Sequence, residues 1–237
     1  MTQVSADFET GTNGNALATS DVGSATPFDF VVIGGSSTLK YDNAHAAHGL
    51  LACQHANVAG AFNYYQWNIG GLVTHFSRGY FYFTANPSAS RTLFHIRTSA
   101  NANLAFVIVN TSGKLVLQDS VGAQTLTTNS IPLNQWFRVE AKFVHSATVG
   151  QIEGKLFSNP DSSTPTETAT SAANLNTGTQ GDRFGVGPQA NSSGTDTFWS
   201  DNVIGGAAAY PGSAFLSGMI RRFGKGGAVV LDNNLLS

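Results

Sequence analysis

An all-β, two-sheet antiparallel sandwich with a C-terminal extension is the fold class that this sequence predicts. Three observations predict it. Apolar and polar residues alternate with period two in run after run, at a spacing of about ten residues. Gly, Asn and Ser punctuate the gaps between the runs, and no long stretch carries the period of a helix.

The runs come in order. "FDFVVI" (Phe28 to Ile33) and "STLKY" (Ser37 to Tyr41) flank Gly34-Gly35. "AHAAHGLLA" is the best helix candidate, though strands surround it. "GYFYFTA" is rich in aromatic strand formers, and "TLFHIRT", "NLAFVIV" and "GKLVLQD" follow across "SAN" and "NTSG" turns. "QWFRVEAKFV" alternates strictly, with Trp136, Arg138, Glu140 and Lys142 on one face and Phe137, Val139, Ala141 and Phe143 on the other. "GQIEGKLF", "RFGVG" and "DTFWSDNVIGG" close the set. Residues 158–181, rich in Ser, Thr, Asn and Gly, read as a long surface connection. Many short strands at this spacing argue for one sandwich domain over residues 1–206. Residues 207–237 form the extension.

Composition narrows the function classes. Only 11% of the 237 residues are charged, yet aromatics also reach 11%, so this is a folded chain with a neutral, amide- and hydroxyl-rich surface. The net charge of −2 and the lack of a basic block argue against nucleic acid as a partner. The longest apolar run, Leu104 to Val109, is too short to span a bilayer, so no membrane insertion is expected. Cys53 is the sole cysteine and sits in the apolar "HGLLACQHA", which suits a buried free thiol. "MTQVSADFETG" lacks the charged and apolar regions of a signal peptide, which predicts synthesis in a cytoplasm without export.

The order of several pieces resembles a known family. "FETGTNGNAL", "YDNAHAAHG", "GYFYF", "LNQWFRVEAKF" and "FWSDNVIGG" are similar to motifs of concanavalin A-like (laminin-G-like) jelly-roll modules, found in secreted actinobacterial proteins and phage minor tail proteins. The resemblance covers roughly residues 7 to 206 and implies a jelly roll that serves as a sugar-binding or adhesive module. It also implies a structural calcium site, because Glu9 of the opening motif and Asp201 of the closing strand, with Asn202 beside it, would come together as hard oxygen ligands. Otherwise Glu9 caps a turn and Asp201 accepts backbone N–H groups. No other cofactor is expected.

The sequence carries none of the common hydrolytic or zinc signatures. Retaining glycosidases need two carboxylates about 5 Å apart. Of Glu9, Glu140, Glu153 and Glu167, none belongs to an E-x-D-x-x-E strand, and Glu140 lies beside Arg138 and Lys142 as an ion-pair partner. There is no G-x-S-x-G, and "HAAH" lacks a third zinc ligand. The chain is therefore expected not to be an enzyme. For sugar binding the candidates are Tyr64, Tyr65 and Trp67 of "NYYQWN", flanked by Asn63, Gln66 and Asn68, together with Trp199. Phe215, Met219, Ile220, Phe223, Val229 and Val230 make the extension apolar enough to be an assembly arm, contacting a second copy or another virion protein. The expected function is a phage virion component, in the tail, a fibre or the capsid decoration, that reads host-surface glycans. The alternative is a carbohydrate-binding module of a secreted bacterial protein.

Overall fold

The computed structural model describes residues 3–21, 26–190 and 193–214. Fifteen strands are present among them: β1 (Val4–Ala6), β2 (Phe30–Ile33), β3 (Thr38–Asp42), β4 (Ala52–Asn57), β5 (Asn63–Leu72), β6 (Thr74–Phe83), β7 (Arg91–Arg97), β8 (Asn103–Val109), β9 (Lys114–Asp119), β10 (Gln124–Ser130), β11 (Trp136–Val144), β12 (Gln151–Phe157), β13 (Glu167–Thr170), β14 (Gly181–Val186) and β15 (Asp196–Ala207). They form two antiparallel sheets. Sheet A runs β13-β12-β11-β6-β15-β4-β3, with β1 paired to β15, and sheet B runs β10-β9-β8-β7-β14-β5-β2. Among the described residues no helix is long and apolar enough to cross a membrane.

The strict alternation of β11 predicts its role correctly. Phe137, Val139, Ala141 and Phe143 are sealed between the sheets, where they join Phe81, Phe83, Phe94, Phe184 and Phe198. Phe83 and Phe198 stack at 5.0 Å within sheet A, and Phe81 meets Phe94 of sheet B edge-on at 5.5 Å. Each such ring stabilises the fold by about 1.5–3 kcal/mol through burial alone. Cys53 is buried and free, as its apolar setting predicts.

Three segments differ from the sequence reading. "AHAAHGLLA" is no helix: residues 43–51 make a loop, and its last residues feed into strand β4. Two carboxylates supply the reason. Asp201 accepts the Ala47 and His48 N–H groups and Glu9 accepts those of Leu50 and Leu51, so backbone donors are satisfied without helical carbonyls. Residues 158–181 contain the short strand β13. At the other end of the domain, residues 208–214 turn back across the outer face of sheet A. There Arg78 donates to the Gly212 carbonyl, Tyr210 donates to Glu153 at 2.5 Å, and the Ala214 N–H is accepted by Tyr80. The apolar arm residues Phe215, Met219, Ile220, Phe223, Val229 and Val230 lie outside the described residues.

Candidate functional site

The expected sugar platform is divided by the pleat of β5. Tyr65 and Trp67 face inward and are wholly buried. Tyr65 hydrogen-bonds Ser200, the Trp67 indole donates to the Thr26 carbonyl, and both rings pack on Phe28. These two residues are core, because a strand that closes a sandwich spends one face on the interior. Tyr64 points the opposite way, onto the outer face of sheet B.

Register assembles a polar cluster around Tyr64. Arg183 stands opposite both Asn68 and Arg97, and Gly185 stands opposite both Gln66 and His95. Three neighbouring strands, β5, β14 and β7, thus put Tyr64, Gln66, Asn68, His95, Arg97 and Arg183 on one face. The Arg97 guanidinium lies 5.6 Å from the Tyr64 ring centre and donates to its hydroxyl at 3.1 Å. Arg183 lies over Phe30 at 4.6 Å and donates to Asn101. Among the described residues, no carboxylate comes within 4 Å of either guanidinium. Like charges directly opposite on adjacent strands are destabilising. Here they stand on a chain with only 12 lysines and arginines.

His95 anchors the cluster from below. It is fully buried, with Nδ1 3.2 Å from the Gly187 carbonyl and Nε2 3.3 Å from the Gln66 side chain. Burial pushes the imidazole down to about 3, so it is neutral and carries one proton. Its single proton is shared between two acceptors that face the ring, the Gly187 carbonyl at Nδ1 and the Gln66 Oε1 at Nε2. Gly185 has no side chain to compete with the His95 ring, and its Cβ would also meet the Tyr65 carbonyl at 2.9 Å.

The expected calcium ligands are adjacent, and each is occupied by nitrogen donors. Beyond the loop amides, Asp201 accepts from the N–H and side-chain amide of Asn202. Burial pushes Asp201 up to about 8; three backbone N–H groups pull it back and the Glu9 charge adds to the rise. Among the described residues no group of three or more His, Cys, Asp or Glu forms a metal site.

Trp199 lies on the outer face of sheet A, nearly covered, its indole N–H donating to Asp42 at 2.6 Å. It begins a strip of rings. His45 meets Trp199 edge-on at 4.2 Å and stacks on Tyr82 at 4.3 Å, and Tyr82 meets Trp136 at 5.6 Å. On the same face Arg138 and Glu140 form a buried ion pair at 3.2 Å along one strand. They are outward-facing, as their alternation predicts, yet covered by residues 158–166 and 208–214.

The two antiparallel sheets and their strand order define a jelly-roll sandwich of the concanavalin A-like type. Solved structures with this fold include an endo-β-1,4-glucuronan lyase from the fungus Trichoderma reesei, at 13% identity and a TM-score of 0.59 over 80% of this chain and 96% of that one. The cellulose-induced protein Cip1 is similar at 13% identity and 0.56, over 86% and 97% of the two chains. The alginate lyase Aly36B is similar at 9% and 0.51, over 86% and 96%. No family model and no curated protein matches the sequence. Nothing in these comparisons links the chain to phage minor tail proteins.

One expectation is corrected by these neighbours. The reading of a non-enzymatic protein does not stand, because the similar structures include glucuronan and alginate lyases over nearly their whole lengths. The patterns missing from the sequence are those of carboxylate-pair hydrolysis, of G-x-S-x-G nucleophiles and of zinc sites. Lyase chemistry needs cations and proton-transfer groups instead, so a scarcity of glutamate says nothing against it.

Proposed function

We propose that this domain engages a carboxylate-bearing polysaccharide along the outer face of sheet B and cleaves it by elimination. The observation that carries the reading is the arginine pair, Arg97 and Arg183, side by side without a carboxylate partner among the described residues. Arginine forks match carboxylates bidentately, and a uronate would relieve the repulsion between them. Tyr64 sits against Arg97, where its hydroxyl can exchange a proton with the sugar. In such an elimination the proton beside the carboxylate leaves, the C4–O bond breaks, a C4=C5 double bond forms, and the departing oxygen takes a proton. The arginines would stabilise the charge that builds on the carboxylate.

The test mixes the protein with glucuronan, with alginate and with a neutral glucan, and follows binding and the ultraviolet absorbance of the unsaturated product. Arg97→Ala/Arg183→Ala should abolish binding to the acidic polymers, and Tyr64→Phe should keep binding while losing turnover. Equal binding by the double variant would remove the reading. The finer role, on a phage particle that reads host glycans, belongs to this proposal on the strength of the sequence resemblance and the neutral surface. Immunogold labelling of particles tests it, and unlabelled particles would end it.

A further inference from the structure

From the other sheet we infer a second glycan-binding groove, centred on Trp136 and suited to a neutral pyranose chain. Trp136 is half-buried at the start of β11 and faces outward, at the end of the ring strip that runs through Tyr82 and His45 to Trp199. Beside it lies a groove of about 370 Å³ walled by Gln135, Trp136, Ser158, Asn159 and Pro160. That is within the size range of small-molecule sites, about 300–1,000 Å³.

The lining decides the occupant. None of the five residues is charged, so nothing there would hold a uronate, a phosphate or a cation. The groove combines one broad indole with two exposed amides and a hydroxyl. A pyranose with equatorial hydroxyls presents an apolar C–H face to a ring and hydroxyls around its edge, which matches that combination. Asn159 spends its Oδ1 on the Asp161 N–H, and its NH₂ group is left to meet a sugar hydroxyl. The platform is also preorganised. Tyr82 backs Trp136, His45 backs Tyr82, and the 45–51 loop is pinned by Glu9 and Asp201. Rigid aromatic contact surfaces lose little entropy on binding. The groove is distinct from the arginine pair, which lies on the opposite sheet.

The experiment titrates cellohexaose and chitohexaose into the full chain and into each variant and follows binding by isothermal titration calorimetry. On the wild-type chain tryptophan fluorescence is a second readout, since of the three tryptophans Trp67 is fully buried and Trp199 nearly so, which makes Trp136 the reporter. Binding of at least one oligosaccharide is expected, weakened about tenfold or more by Trp136→Ala. Arg97→Ala/Arg183→Ala should leave it unchanged. Because Trp136 packs on Tyr82, Gln135→Ala/Asn159→Ala serves as the second variant and should weaken binding with an unaltered melting temperature. No response of the wild-type protein to either oligosaccharide overturns the inference, as does undiminished binding by both groove variants.

Discussion

Ser200 shows how much one small side chain can carry here. Its hydroxyl lies 2.9 Å from both the Tyr65 hydroxyl and His55 Nε2, in the sealed interior. Ser200→Ala would strand both partners, and an unsatisfied buried polar group costs about 1–3 kcal/mol. Tyr65→Phe removes one partner and leaves the His55 contact intact, so it should cost clearly less. Urea melts of the two variants check the order, and equal losses would refute it. Asp201 is the corresponding buried residue on the outer side of sheet A. Asp201→Ala should lower the melting temperature by releasing the Ala47 and His48 N–H groups, and to the same extent with and without a chelator. A chelator-dependent loss would instead restore calcium to the site.

At the level of elements, legibility in the sequence follows the contrast between the two faces of a strand. β8 and β11 could be read because their inward positions are apolar. β10 ("QTLTTNS") and β13 ("ETAT") could not, since each buries a single small or polar residue, Thr127 or Ala169. In "NYYQWN" Tyr65 and Trp67 carry the same chemistry as Tyr64, and only register separates the two core rings from the one on the outer face. Arg97 and Arg183 were missed because their pairing joins strands far apart in sequence. The usable signal was parity, which sets His95 and Arg97 opposite Phe94 and Ile96. The segment 208–214, at the start of the extension read as an assembly arm, returns onto the outer face of sheet A. Truncation after Gly206 would remove the Tyr210 ring and the grip of Arg78 on Gly212. A half-buried ring and a charge-assisted hydrogen bond together give an expected loss of about 2–4 kcal/mol. Thermal melts of the shortened chain measure it, and an unchanged melting temperature would show that the segment contributes nothing.

Across the whole molecule, buried imidazoles set the response to acid. Burial pushes His55, His75 and His95 down to about 3, whereas in the unfolded chain they titrate near 6.5. Between those values the unfolded state binds more protons, so stability falls as pH falls, by about 1.4 kcal/mol per pH unit for each group. Asp201, raised to about 8, acts in the opposite sense, since its folded form holds the proton more tightly and loses stability as pH rises. Three imidazoles against one carboxyl leave a net loss of stability as pH falls below 6. Stability should therefore peak near neutrality and collapse well above pH 3. Near-ultraviolet circular dichroism against pH checks this, and a flat profile from pH 7 to 4 would contradict it. The strand order has a consequence for how the chain is made. β15 lies in the middle of sheet A, between β6 and β4, and β1 also waits for it. As the polypeptide emerges from the ribosome, the edges of β4 and β6 must stay open until residues 196–207 have been synthesised. Such non-local closure is slow, and unpaired edges invite aggregation in the interval. A chain halted before Asp196 should accumulate in inclusion bodies, and full-length yield should respond to chaperones that shelter nascent strands.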